Sequence, residues 1–350
     1  MCFVNVRILL IADPKIPVPP THYGGAERIV HLYASEFSRL GHTVHLMAGP
    51  GSLSYGGRLH LHREPSTSYL SRARRKILFQ FESLWAAKDC DVVYNHGRID
   101  YLEALFKFKC PILNRFPNPL SQSQVDFAEA RIIENTCFHC MSENQIKSLT
   151  IKTPTVIIPN PIDCSSYSPG LHDDGYLVFL GRLTRNKGVD VAIDVALQTG
   201  KRLVIAGNIS NEDGGKEFFR DHVEPFLDGD QIRWIGLVDD LQKQSLLSGA
   251  EALLFPIRWE EPFGIVMVEA LACGCPVIAT RRASTPEVID HGITGFLCEP
   301  EEPFPDAFVE AVNQLHQIDR AACRLVAEQR FDVRIVTPRV LDVLSGLANY

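Results

Sequence analysis

The sequence predicts two doubly wound α/β domains, each built on a parallel sheet. Three observations carry this expectation. Apolar runs of strand length alternate with helical stretches over residues 6–158. A segment rich in Pro, Ser, Asp and Gly then interrupts the pattern at 159–175, and a second alternating series begins at Tyr176. Strands that alternate with helices favour a parallel sheet with crossover helices. A chain of 350 residues also exceeds one ordinary core.

Taken in order, the first half reads as strands at 6–12, 43–48, 91–95, 111–115, 137–141 and 155–158. Helices are expected at 26–40, 69–88, 99–108 and 143–149. The second half reads as strands at 176–180, 202–206, 231–235, 252–255, 276–279 and 295–298, with helices including 188–198, 241–247 and 265–273. The interruption has linker composition. It divides the chain into a first domain of residues 1–165, joined by a final helix at about 332–350, and a second domain of residues 166–331.

An apolar share of 45% and a charged share of 22% are those of a soluble globular protein. The apolar run at 8–12 ends at Asp13, too short for a signal-peptide core, and no stretch approaches the ~20 apolar residues of a membrane span. A soluble, cytoplasmic protein is expected. The net charge of −7 is uneven: residues 1–155 carry 18 basic and 13 acidic side chains, and residues 156–350 carry 17 and 29. A basic half suits an anionic surface or substrate, or reflects ordinary variation of solvated faces. Ten cysteines mostly sit in or beside apolar segments, where a thiol acts as a small hydrophobe. Cys137-Phe138-His139-Cys140 has ligand-like spacing but no second pair to complete a zinc site.

The stretch Glu260-Glu261-Pro262-Phe263-Gly264-Ile265 through Glu269 is the most informative. Pro suits the first turn of a helix and Gly lets a ligand approach the backbone. Glu261 therefore reads as a loop residue at a helix mouth, with Glu269 about two turns inside an apolar run. A buried carboxylate is costly without a hydrogen-bond partner. No basic residue lies one turn from Glu269, so its partner is remote in sequence or is a ligand.

Ligands of open α/β sheets bind beyond the carboxyl ends of the strands, and the other unusual residues collect there. Gly24 and Gly25 stand where a loop becomes a helix, either as a simple turn or as an anion cradle at the positive end of the helix dipole. Gly181-Arg182-Leu183-Thr184-Arg185-Asn186-Lys187-Gly188 follows the first strand of the second domain. Arg182 and Lys187 there suit phosphate oxygens, or are solvated surface charges. His96 ends a strand, as a polar cap or facing a cleft between the domains. Neither a Gly-x-Gly-x-x-Gly turn nor a Walker loop occurs, which weakens dehydrogenase and ATPase readings.

Together these blocks resemble the retaining glycosyltransferases of family 4, which have the two-Rossmann architecture called GT-B. The resemblance rests on Glu261 and Glu269 in their Glu-Pro-Phe-Gly context, Gly181-Arg182-Leu183 with Lys187-Gly188, Tyr23-Gly24-Gly25-Ala26-Glu27, Pro159-Asn160-Pro161-Ile162-Asp163, and Cys275-Pro276-Val277-Ile278-Ala279-Thr280 with Glu287 and Gly292. It implies two domains facing a cleft, with the C-terminal helix crossing back to the first. It also implies that Arg182 and Lys187 hold the donor diphosphate, that Gly24 and Gly25 approach the same phosphates, and that Glu269 binds the ribose. Glu261 with the backbone of Phe263, Gly264 and Ile265 would contact the donor sugar, and His96 would lie near its reacting carbon. The family often has paired Gly before Pro286-Glu287, where this chain reads Arg281-Arg282-Ala283-Ser284-Thr285, which leaves the donor open.

The implied reaction is transfer of a sugar from a nucleotide-diphospho-sugar to an acceptor hydroxyl with retained configuration. A UDP-sugar is the favoured donor and a GDP-sugar the alternative. No cofactor, no divalent metal and no nucleic acid are expected. The acceptor is a sugar, a lipid-linked glycan or a small molecule. The helix at 69–88 places Arg72, Arg74, Arg75 and Lys76 beside Ile77, Leu78, Phe79 and Phe81, so it is a solvated face or a peripheral contact with the inner face of a membrane. Rival readings on the same fold are a nucleotide-sugar epimerase, a sugar phosphorylase, and an inactive nucleotide-sugar-binding protein.

Overall fold

The computed structural model describes residues 5–20, 24–62, 69–108, 110–132, 134–170, 172–211, 214–300 and 304–349. Tyr23 of the Gly24 block and the side chain of Arg72 lie outside the described residues. The elements run β1 (Arg7–Ile11), α1 (Gly25–Arg39), β2 (Thr43–Ala48), β3 (Gly56–Leu61), α2 (Tyr69–Ala87), β4 (Val92–Asn95), α3 (Glu103–Lys107), β5 (Ile112–Arg115), α4 (Gln122–Glu129), β6 (Thr136–Cys140) and β7 (Thr155–Ile157). They continue with β8 (Tyr176–Leu180), α5 (Val189–Thr199), β9 (Arg202–Ala206), α6 (Gly215–His222), β10 (Ile232–Trp234), α7 (Asp240–Gly249), β11 (Ala252–Phe255), α8 (Ile265–Ala272), β12 (Val277–Thr280), α9 (Thr285–Val288), β13 (Gly295–Cys298), α10 (Phe304–Asn313), α11 (Arg320–Arg330) and α12 (Val333–Ala348).

The chain divides into two units. Unit 1 comprises residues 1–162 with 333–350, and unit 2 comprises residues 163–332. Unit 1 holds a seven-stranded sheet in the order β3-β2-β1-β4-β5-β6-β7. Unit 2 holds a six-stranded sheet in the order β10-β9-β8-β11-β12-β13. Every pairing is parallel. These are doubly wound Rossmann orders, and both reverse direction beside the first strand: between β1 and β4, and between β8 and β11.

The sequence explains why these runs form central strands. A parallel sheet is covered on both faces, so its strands read as continuous apolar runs rather than alternating ones. Ile8, Leu9, Leu10 and Ile11 are fully buried, as are Leu253 and Leu254 of β11. Unit 1 closes with α12, which packs on α1 and over β4 and β5 through the buried Val336, Val340, Leu341 and Leu344. In unit 2, α11 packs on α8. Arg324 of α11 caps the carbonyl of Ala272 at 2.6 Å and those of Tyr167 and Cys164 at 2.8 Å. This satisfies the C-terminal carbonyl of α8 and fixes the start of unit 2 against it.

Three expectations need correction. Residues 143–149 form successive three-residue turns, Ile146 N–H to Glu143 and Leu149 N–H to Ile146, rather than a helix. The 99–108 segment splits into a 3-10 turn at Ile99–Tyr101 and the short α3. The helix after Glu261 begins at Ile265, because Gly264 takes a left-handed conformation at φ 71° and caps it. Pro262 therefore lies outside the helix, and Glu269 is its fifth residue, about one turn in rather than two.

No helix among the described residues is long and apolar enough to cross a membrane. A groove of about 900 Å³, lined in part by Thr136, Cys137, Pro154, Val343 and Leu347, opens at the amino ends of β6 and β7. That is the end of the sheet opposite the strand ends considered next.

Candidate active site

Unit 2 gathers its polar machinery beyond the carboxyl ends of β8 and β11, at the switch point of the sheet. The two loops are interlocked through glycine. Gly188 has φ 79°, and a Cβ there would sit 1.9 Å from the Pro256 carbonyl oxygen. Arg258 reinforces the junction: its N–H donates to the Asn186 carbonyl at 2.8 Å, and its guanidinium reaches Asp190 at 2.7 Å. The loop that carries Lys187 and the loop that carries Glu261 thus form one layer.

Within that layer Lys187 and Glu261 form an ion pair between Nζ and Oε2, with side chains 16% and 13% exposed. Glu261 also accepts from the Trp259 indole at 3.0 Å, and the Lys187 ammonium stands 4.6 Å from the centre of the Trp259 ring. Lys187 is therefore held by charge and by cation–π attraction in one position. Arg182, half-buried on the same loop, has no acceptor for its guanidinium among the described residues.

Glu269 has protein partners that the sequence did not reveal. Its Oε1 accepts from Lys243 Nζ at 2.5 Å and from the Tyr167 hydroxyl at 3.0 Å. Lys243 comes from α7, which starts at a capping box of Asp239 and Gln242. Burial, and then the neighbouring Glu269 charge, push the Tyr167 phenol far above its ordinary range, so it serves as a neutral donor. Both calls on Oε1 leave Oε2 without a protein donor among the described residues. Gly264 makes the tight entry to α8: a Cβ there would lie 2.8 Å from Met267 Cε. Phe263 is buried edge-on against Phe331, at 5.9 Å between ring centres. The mouth of α8, with Ile265 first, is fixed from both sides.

The departure at Arg281-Arg282-Ala283-Ser284-Thr285 is structured. Ala283 takes φ 54°, a left-handed conformation that glycine adopts more readily. Arg282 reaches Glu260 at 3.0 Å, and Arg281 reaches Glu299 at 2.6 Å. The loop is tied by ion pairs where a glycine pair would leave it open.

Unit 1 places its predicted residues at its own switch point. Gly24 caps α1 with φ 156°, and a Cβ there would meet Pro20 at 2.7 Å. Gly25, the first residue of α1, has nothing within 4 Å of such a Cβ, so packing does not explain that glycine. His96 follows β4 with 3% exposure. Its ring centre is 4.1 Å from that of Tyr94 and 5.8 Å from that of Tyr33, and neither ring nitrogen has a partner among the described residues. Burial holds its pKa well below the usual value, so the imidazole is neutral.

Two other motifs resolve as structural. Cys137 and Cys140 lie in β6, and burial pushes their thiols up to about 11 and about 12, away from the thiolate a metal needs. The chain contains two Asp-x-Asp triplets, Asp89-Cys90-Asp91 and Asp228-Gly229-Asp230, a spacing that would suit a metal-bound diphosphate. Asp91 binds Arg7 at 2.5 Å and Asp89 binds Arg58 at 2.7 Å. Asp228 accepts the backbone N–H groups of Asp230 and Ile232, each at 2.9 Å. Both triplets precede the strands β4 and β10, at the ends away from the site.

The two doubly wound parallel sheets are those of the GT-B fold, and unit 2 gathers Arg182, Lys187 and two lysine-held carboxylates around one helix mouth. Residues 168–330, nearly all of unit 2, match the family model of glycosyl transferases group 1. Human alpha-1,3/1,6-mannosyltransferase ALG2 is 28% identical over 276 residues, 70% of this chain and 60% of its own. The chain thus spans less than two thirds of that relative. Among solved structures, sucrose-phosphate synthase of Thermosynechococcus elongatus superposes with a TM-score of 0.79 at 18% identity, covering 98% of this chain and 99% of its own. Anabaena HepE, solved in complex with UDP and glucose, gives 0.77 at 17% identity, covering 98% and 100%. At these identities the structural likeness speaks for the fold.

Proposed function

We propose that the protein is a retaining glycosyltransferase that moves a sugar from a nucleotide-diphospho-sugar to an acceptor hydroxyl, without a divalent metal. A UDP-sugar is the favoured donor. The observation that carries this reading is the α8 mouth: Lys187 locked by Glu261 and Trp259, Arg182 with no protein acceptor among the described residues, and Glu269 with one oxygen held by Lys243 and Tyr167.

On this reading Arg182, Lys187 and the first N–H groups of α8 face the diphosphate. Negative charge develops on it as the sugar leaves, and fixed donors aimed at that charge are usually the largest catalytic term. Glu269 Oε2 accepts from the ribose hydroxyls, and Glu261 with Phe263, Gly264 and Ile265 lies against the sugar and its phosphate. Gly25 gives a phosphate room to approach α1. The acceptor attacks on the face from which the diphosphate leaves, and the departing phosphate oxygen takes its proton, so no separate nucleophile is required. Neutral His96 lies near the reacting carbon.

A thermal-shift panel of UDP-, GDP-, ADP- and dTDP-sugars tests the reading. A ligand that binds only the folded state stabilises it by about 2.7 kcal/mol at a hundredfold excess over Kd. One nucleotide class is expected to raise the midpoint by several degrees, and no response to any of the four would reject donor binding. Isomerised donor in the absence of acceptor would favour the epimerase instead.

Peripheral contact with an anionic membrane through α2 belongs to the same proposal. Ile77, Phe81 and Trp85 are 59%, 66% and 56% exposed along one face, with Leu78 beside them. Arg74 and Lys88, also exposed, stand at the two ends of that stripe, and Lys88 lies over the Trp85 ring. Exposed aromatic side chains between cations suit an interfacial helix. Phe81→Ser with Trp85→Ser is expected to weaken sedimentation with phosphatidylglycerol vesicles by about tenfold, or about 1.4 kcal/mol. Equal binding by the variant, or none by the wild type, would remove the membrane from the account.

A further inference from the structure

Unit 1 buries a guanidinium that no carboxylate among the described residues pairs with. Arg115 closes β5 and is 2% exposed. Its Nη2 donates to Asn160 Oδ1 at 2.6 Å and lies 3.1 Å from Met141 Sδ. Its Nε and Nη1 are sealed from solvent and have no acceptor among the described residues. Among the described residues no carboxylate forms an ion pair with it; Glu27 of α1 only contributes to its field. Arg324 of unit 2 is treated differently: it feeds two carbonyls from Nη1, another from Nη2, and Glu328 from Nε.

The neighbours of Arg115 sharpen the contrast. Asn95 pairs with Asn114 in the sheet register, so His96 follows β4 level with Arg115, and Arg115 pairs in turn with His139 of β6. His139 is satisfied on both nitrogens, by the Tyr94 hydroxyl at 2.7 Å and the Ile158 carbonyl at 2.8 Å. His96 is satisfied on neither among the described residues. Three guanidinium N–H bonds, and on His96 one N–H and one acceptor nitrogen, therefore lie at the carboxyl ends of adjacent strands with no partner among the described residues. An unpaired buried charge is costly, and an uncompensated one destabilises by several kcal/mol. Ligands of doubly wound sheets bind at this edge.

We propose that Arg115, with His96 beside it, forms a binding site in unit 1 for one compact oxyanion, a phosphoryl or carboxylate group. Its role as the anchor of an anionic acceptor rests on the transferase reading above; the binding site itself does not. As it stands the site is closed over the guanidinium, so the anion enters with a local opening.

The test uses the full chain carrying Arg182→Ala and Lys187→Ala, which silences the phosphate ligands proposed for unit 2. Inorganic phosphate, malonate, glucose 6-phosphate and glucose are titrated against the unfolding midpoint. Phosphate or malonate is expected to raise the midpoint, glucose is not, and adding Arg115→Met is expected to weaken the anion effect by about tenfold or more. Glucose 6-phosphate binding more tightly than inorganic phosphate supports an anion carried on an acceptor; equal binding supports a free-anion site and rejects the acceptor role. No response to any anion, or the same response in the Arg115→Met chain, overturns the proposal. Should that variant fail to fold, Arg115→Lys retains the charge but loses the planar fork. Weaker anion binding by Arg115→Lys is then expected, and unchanged binding overturns the site. Because unit 2 is silenced throughout, failure of the donor panel and failure of this site read out separately.

Discussion

Lys187→Ala is expected to lower sugar transfer by about a hundredfold to a thousandfold, with kcat falling while the chain stays folded. Removing one preorganised donor to a developing oxyanion costs about 2.7–4 kcal/mol of transition-state stabilisation. Lys187 is built as such a donor: Glu261 and the Trp259 ring hold its ammonium, and Gly188 fixes its loop against Pro256. Arg182→Ala should act in the same range, since no protein acceptor competes for its guanidinium among the described residues. Initial rates at saturating donor, with circular dichroism as a check on folding, provide the measurement. Near-normal rates in both single variants would end the proposed role of this loop.

Lys243→Met is the second large effect, and it should fall on donor affinity. Lys243 does not face the diphosphate in this account; it positions Glu269 by occupying Oε1 at 2.5 Å alongside Tyr167. Met keeps the stem and removes the charge. Glu269, whose side chain is 7% exposed, would then retain only the tyrosine hydroxyl. Hydrogen bonds to charged groups contribute about 1.5–3 kcal/mol, so donor KM should rise by about tenfold to a hundredfold. The rate at saturation should change little, because the ribose grip is the same in the ground and transition states. Tyr167→Phe removes a neutral donor and should raise KM by a smaller factor. A fall in kcat with unchanged KM would show that Lys243 acts elsewhere.

Much of this fold is written in local sequence. Past Arg7 of β1 and Tyr176 of β8, the strands β1, β8 and β11 are buried, continuous apolar runs, and such runs between helical stretches leave few topologies open. What was hidden is weakly patterned or set by neighbours distant in the chain. The edge strand β3 is Gly-Gly-Arg-Leu-His-Leu, mostly half-exposed, and carries no apolar run. Residues 143–149 have helical composition but close only in three-residue turns. The mouth of α8 was legible from Glu261, Gly264 and Glu269, because their spacing is local. Their partners were not. Lys187 lies 74 residues from Glu261, and Lys243 lies 26 from Glu269, so only the order of strands and helices brings each pair together. Arg115 left one trace, an arginine ending a buried strand, and its lack of an acceptor is a property of the folded unit alone.

The central claim is that Arg182, Lys187 and Glu269 of unit 2 grip a nucleoside diphosphate. Calorimetric titration of UDP, GDP, ADP and dTDP into the wild type and into the Arg182→Ala, Lys187→Ala double variant tests it most directly. One nucleoside diphosphate should bind the wild type, its monophosphate should bind more weakly, and the double variant should lose about a hundredfold in affinity, or about 2.7 kcal/mol. Binding of equal strength in the double variant, or no binding of any of the four to the wild type, would contradict it.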